Sequence, residues 1–130
     1  MIYTEDSDIT DIDFEDYYFY YRNQLSEAFI EIHLDKVNWE YLSDYQKLSE
    51  SFMEKYQDKL DWLHVSYSQK LSESFIEKFK DKLEWYHISS QQNLSDVFIK
   101  KHYEKLYLAL LLKNDFLKKS TLLQKIRMLK

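Results

Sequence analysis

Four ten-residue segments, LSEAFIEIHL, LSESFMEKYQ, LSESFIEKFK and LSDVFIKKHY, begin at Leu25, Leu48, Leu71 and Leu94, so the chain repeats itself every 23 residues. A period of that length constrains the fold more than any single residue does. Each unit is one supersecondary element that cannot bury its apolar face alone, and neighbouring units must stack to form a continuous core.

The unit reads as two helices. In the third copy Leu71, Phe75, Ile76, Phe79 and Leu83 fall on one stripe at helical spacing, with Glu73, Glu77, Lys78 and Lys80 away from it, which predicts an amphipathic helix carrying the whole stripe. Ser72 is placed to accept from the free backbone N–H groups as N-cap, and Leu71 to pack on Ile76 as a hydrophobic staple; the other units keep this arrangement around Ser26, Ser49 and Ser95,. A shorter second helix follows, because Asn38, Asp61 and Glu84 precede Trp39, Trp62 and Trp85,. Asp35, Asp58 and Asp81 are alternative caps that would start it three residues earlier,.

The expected fold class is therefore all-α, a short α-solenoid of about four 23-residue helix-turn-helix repeats with divergent helical caps. Three regions follow: residues 1–24 as an acidic segment and capping helix, 25–106 as the repeats, and 107–130 as basic capping helices. Phe14 to Gln24 align with the second half of a unit but carry Asp16 at the tryptophan position, and Met1 to Asp13 read as a frayed end. After Leu106 the sequence departs from the repeat, and Ser120 is placed to cap a final helix,.

Composition excludes much chemistry. An average chain of 130 residues has on the order of nine glycines and six prolines, and this one has none of either and no cysteine. Phosphate-cradling loops and nucleophile elbows need glycine, so they are excluded. Thiolate catalysis and disulfides go with cysteine. The serines recur as caps in every unit, whereas a nucleophile needs one unique geometry, so no enzyme and no cofactor is expected. His33 and His102 share a repeat position with Tyr56 and Phe79, and His64 and His87 share one with Tyr41. That pattern reads as aromatic packing, with no metal site. Without a signal-like start or an apolar run of about 20 residues, the expectation is a cytoplasmic protein with no membrane partner; the oligomeric state is left open.

The net charge of −5 conceals a gradient: residues 1–20 hold seven acids and no base, and residues 100–130 hold nine bases and two acids. The acidic surface of Asp11, Asp13, Glu15 and Asp16 suggests imitation of nucleic acid in a basic groove. The basic end, with Lys100, Lys101, Lys105, Lys118, Lys119, Lys125 and Arg127, gives the alternative, a nucleic-acid-binding module. Trp39, Trp62 and Trp85, the serines Ser43, Ser66 and Ser89, and the glutamines Gln46, Gln69 and Gln92 hold their identity from unit to unit, as contacts between layers demand. The pairs Glu40 with Asp44, Leu63 with Tyr67, and Tyr86 with Ser90 share a helix face and differ in every unit,. Their variation is expected to cost the stack nothing, and they form the expected protein-binding strip, with Leu63, Tyr67 and Tyr86 as its anchors.

The unit LSESFIEKFKDKLEWYHISSQQ and its partner LSESFMEKYQDKLDWLHVSYSQ are similar to a short repeat found in multiple copies in giant-virus proteins of the mimivirus kind and in some phage-associated and bacterial proteins of AT-rich genomes. The resemblance spans Leu25 to about Leu106. It implies a viral or mobile-element origin and an interaction role against host factors, with no catalytic residue to carry over. The expected function is thus a non-enzymatic protein-binding module, in its most concrete form a viral or phage inhibitor of a host defence or nucleic-acid-handling complex.

Overall fold

Every LSE segment starts a helix at its serine. In the computed structural model, which describes residues 1–129, the elements run β1 (Ile2–Tyr3), α1 (Tyr17–Arg22), β2 (Gln24–Leu25), α2 (Glu27–Ile32), α3 (Trp39–Tyr45), α4 (Glu50–Lys55), α5 (Trp62–Ser68), α6 (Glu73–Lys78), α7 (Trp85–Gln91), α8 (Asp96–Lys101), α9 (Leu108–Lys113), a 3-10 turn (Asp115–Leu117) and α10 (Thr121–Met128). The hydroxyls of Ser26, Ser49, Ser72 and Ser95 accept from the N–H groups of Phe29, Phe52, Phe75 and Phe98 at 3.0 to 3.1 Å, closing the first turn of α2, α4, α6 and α8. The second helices start after Asn38, Asp61 and Glu84. Asp35, Asp58 and Asp81 lie outside them, and Glu84 holds the cap position without a side-chain hydrogen bond.

The first helix is shorter than its apolar stripe. α6 ends at Lys78, and Phe79 leaves helical geometry at φ −108, ψ 23. A separate turn follows, in which the N–H groups of Lys82 and Leu83 donate to the Phe79 carbonyl at 2.9 and 3.2 Å, and this turn brings Leu83 into the core.

The helices form a mostly helical stack in which successive elements pack on one another: α1, α3, α5, α7 and α9 follow in a row, and α10 packs on α9. The core runs through all of them as one cluster, from Tyr20 and Phe29 to Leu117 and Leu123. Each tryptophan is half-buried between units. Trp39 lies 5.6 Å from Tyr56, Trp62 lies 5.4 Å from Phe79 and Trp85 lies 5.4 Å from His102.

Three side-chain ladders tie the units. The hydroxyls of Ser43, Ser66 and Ser89 accept from the N–H groups of Asp61, Glu84 and Tyr107 in the next unit. Gln69 Nε2 donates to the carbonyls of Ser43 and Gln46 at 2.9 and 2.6 Å, while its Oε1 accepts from Leu48 N–H at 3.1 Å; Gln46 and Gln92 repeat the pattern. Glu27, Glu50 and Glu73 accept both the N–H and the hydroxyl of the next unit's cap, Ser49, Ser72 and Ser95. The second ladder explains the missing glycine. α3, α5 and α7 stop in extended backbone at Gln46, Gln69 and Gln92, no described residue has positive φ, and the carbonyls such a stop would strand are taken by the following glutamine.

At the N-terminal end an expectation is corrected, and at the C-terminal end Ser120 caps the final helix as expected. Residues Met1 to Asp13 are not frayed: β1 pairs in parallel with β2, Ser26 N–H donates to the Tyr3 carbonyl at 2.9 Å, and Tyr3, Ile9 and Ile12 pack on the core. β1 thus supplies the acceptor that a preceding glutamate supplies elsewhere. The sequence after Leu106 continues the stack although its letters diverge. Asn114 Nδ2 donates to the carbonyls of Ser89 and Gln92 at 2.9 Å each, as a glutamine does. Ser120 caps α10 and donates to Asp96, as the other serines do to their glutamates.

Candidate functional site

The outer side of the second helices carries the expected strip. Leu63, Tyr67 and Tyr86 are 48%, 51% and 53% exposed, large apolar and aromatic groups that a helix surface does not need for folding. Glu40 is exposed, and Asp44 and Ser90 are half-buried.

The strip is more ordered than free variation predicts. Asp44 Oδ1 accepts from the Ser68 hydroxyl at 2.5 Å, so one of its acids is part of the contact between α3 and α5. Tyr67 meets His87 edge-on at 5.3 Å, Tyr86 meets His87 at 5.4 Å, and Tyr86 meets Tyr107 at 5.6 Å. These four rings form one cluster across α5, α7 and the start of α9. His87 Nδ1 lies buried in it with no hydrogen-bond partner among the described residues.

Sequence periodicity missed Tyr107, which follows Tyr86 by fewer residues than one unit and projects from the cap position of α9. It also missed a second aromatic group at the other end. Tyr17 stacks on Tyr18 at 4.2 Å, Tyr21 meets Tyr45 at 5.7 Å, and the Arg22 guanidinium lies 5.2 Å from the Tyr18 ring centre. Tyrosine at several positions of one aromatic-rich segment was the available signal.

The acidic N-terminal residues have local tasks. Asp13 accepts from Glu15 N–H at 3.0 Å, Asp16 caps α1 through Tyr18 N–H at 3.0 Å, and Glu15 accepts from the Asn38 amide at 3.2 Å. Asp11 is exposed. α1 therefore begins with Asp16 as cap, not as the tryptophan equivalent, one residue later than the repeat register predicts.

The basic end is also partly engaged. Lys101 pairs with Glu77, Lys118 lies 3.2 Å from Asp115, and Arg127 donates to the Leu112 carbonyl at 2.8 Å.

The four histidines sit among aromatic rings or acids. His33 lies 4.7 Å from Phe29, and His102, 7% exposed, lies 4.5 Å from Phe98 with Nε2 3.1 Å from Glu77. His64 Nδ1 is 3.1 Å from Asp61. The described residues contain no group of three or more metal-ligating side chains, and no described helix is long and apolar enough to cross a membrane.

No protein-family model matches the chain, and neither the curated proteins nor the solved structures contain a significant match.

Proposed function

We propose that this chain is a non-enzymatic protein-binding module that uses the outer face of its second helices, in its most concrete form a viral or phage inhibitor of a host defence or nucleic-acid-handling complex. One observation carries the reading. Leu63, Tyr67, Tyr86 and Tyr107 leave about half of their surfaces in water on one side of the stack, while the repeated serines and glutamines are engaged between units. Aromatic anchors on a rigid support lose little side-chain entropy when covered, and a few such groups dominate most protein interfaces.

The test is the triple variant Leu63→Ala, Tyr67→Ala and Tyr86→Ala. Affinity capture with the natural chain is expected to enrich a partner that the variant loses by at least about tenfold, with helical content by circular dichroism unchanged. Undiminished capture by a folded triple variant sinks the strip and shifts attention to Asp11, Asp13, Glu15 and Asp16, whose charge reversal is then the next measurement.

A further inference from the structure

Four hollows run in series along the edge of the stack where second helices hand over to the next unit. The first, of about 510 Å³, lies between Arg22 and Lys47. It shares Tyr45 and Lys47 with the next, of about 260 Å³, which shares Ser68 and Lys70 with a third of about 450 Å³. The third shares Gln91 and Phe116 with a fourth, of about 220 Å³, walled by Lys113. Because neighbours share walls, they make one groove.

The groove carries a surplus of unpaired positive charge. Of its carboxylates, Asp115 lies 3.2 Å from Lys118, while Asp44 and Glu73 accept only from the neutral Ser68 hydroxyl and Ser95 N–H and hydroxyl. Its cations Arg22, Lys47, Lys70 and Lys113 form no ion pair among the described residues. Each hollow also has an exposed ring at its wall, Tyr21 at 65%, Tyr45 at 39%, Tyr67 at 51% and Phe116 at 63%. Lys47 and Lys70 are repeat equivalents, but Arg22 comes from α1 and Lys113 from α9. The series of cations and rings therefore continues where the repeat register does not.

We infer that this groove binds an extended acidic peptide segment of a partner protein, with one carboxylate per hollow and apolar side chains against the rings. Packed helices are roughly 10 Å apart and an extended strand rises about 3.3 Å per residue, so carboxylates three residues apart match Arg22, Lys47 and Lys70 on successive layers, and about six residues span the two layers from Lys70 to Lys113. A nucleic-acid strand fits worse. It sets a continuous run of closely spaced phosphates against cations a helix layer or more apart. The inference rests on the protein-binding reading and adds the chemistry of the bound segment.

The experiment is fluorescence anisotropy with a fluorescein-labelled peptide of about twelve extended residues, aspartate at every third position and leucine, serine and alanine between. Controls are the same peptide with lysine for aspartate and a thymidine oligonucleotide of matched length. The full chain is expected to bind the acidic peptide at low ionic strength, to release it as salt rises, and to ignore the lysine peptide. Lys47→Glu with Lys70→Glu, both exposed positions, is expected to weaken binding at least about tenfold with helical content unchanged. Should that variant lose helix, Lys47→Ala with Lys70→Ala is read in its place. Val97→Ala, exposed on α8 and outside the groove, is expected to leave peptide affinity unchanged. Absence of acidic-peptide binding, indifference to both lysine pairs, or tighter binding of the oligonucleotide through the same lysines overturns the groove. If Leu63→Ala with Tyr86→Ala still abolishes partner capture in that case, the protein-binding reading stands without the groove; if capture also survives, both fall.

Discussion

Tyr20 stands where later units carry Ser43, Ser66 and Ser89, and its phenol takes their place in accepting from the cap residue of the next second helix. It accepts from Asn38 N–H at 2.8 Å and donates to the Phe14 carbonyl at 2.8 Å. Tyr20→Phe keeps the ring and strands both backbone groups, so a loss of about 1–3 kcal/mol in chemical denaturation is expected. Burial pushes the Tyr20 phenol up to about 12 from its ordinary 10.0. A raised folded value favours the protonated form. This contribution is therefore complete below pH 10 and drains away as pH climbs toward 12. Alkaline unfolding is expected to be shallower in Tyr20→Phe, and an identical pH profile would remove Tyr20 from the account. Trp62, half-buried with its Nε1 donating to the Gln57 carbonyl at 2.9 Å, is a different case. Its change to alanine is expected to cost about 2–4 kcal/mol, below the range for a wholly buried ring because part of it already faces water.

At the scale of elements, the glutamine rungs decide how short helices of six or seven residues persist, since isolated helices of that length are unstable in water. Gln69→Ala leaves Leu48 N–H and the carbonyls of Ser43 and Gln46 without partners, with an expected loss of about 2–4 kcal/mol. Gln69→Glu is expected to be worse at neutral pH. A carboxylate can still accept from Leu48 but sets its charge against two carbonyl oxygens, so this variant regains stability on acidification while Gln69→Ala does not. The sequence carried this ladder only as repeated identity. Serine and glutamine at fixed positions pointed to contacts between layers, but their partners are backbone groups of the neighbouring unit, which leave no mark in the letters. Asn114 takes the role of Gln92 in a position one residue short of the period, where strict alignment cannot find it. The helix caps were legible because their chemistry is local to a few residues. The length of α6 was not, because the stripe from Leu71 to Leu83 is equally apolar whether one helix or a helix and a turn carries it. The exposed strip was legible at Leu63, Tyr67 and Tyr86, and the bond from Ser68 to Asp44 and the ring of Tyr107 were not, both depending on the stacking itself.

Over the whole molecule, charge holds the seams between units. Hydrogen bonds from Lys55, from Lys101 and from the Ser120 hydroxyl hold Glu31, Glu77 and Asp96 below their ordinary 4.5, 4.5 and 3.8. A lowered carboxylate contributes stability that is present above its ordinary value and lost as pH falls through its folded one. Acid is therefore expected to loosen the stack at these seams, and Glu31→Gln with Glu77→Gln should flatten the dependence of melting temperature on pH below about 5. An unchanged acid limb would assign acid sensitivity to other carboxylates. Helical signal and tryptophan fluorescence should be lost together, because no unit closes its hydrogen bonds alone.

The same dependence of each unit on its neighbour bears on inheritance. The three seams between the four repeat copies use the same atoms of the same residue types at the same offsets, so a crossover between any two of these copies in a gene restores an intact seam wherever it falls. Removing residues 48–70 joins Lys47 to Leu71 and sets Gln92 over the carbonyls that Gln69 now holds. Such a shortened chain is expected to fold, with a lower melting temperature in proportion to the lost layer. Length in a lineage of such chains is then set by recombination and selection on what the surface touches, and the fold itself places little restraint on it.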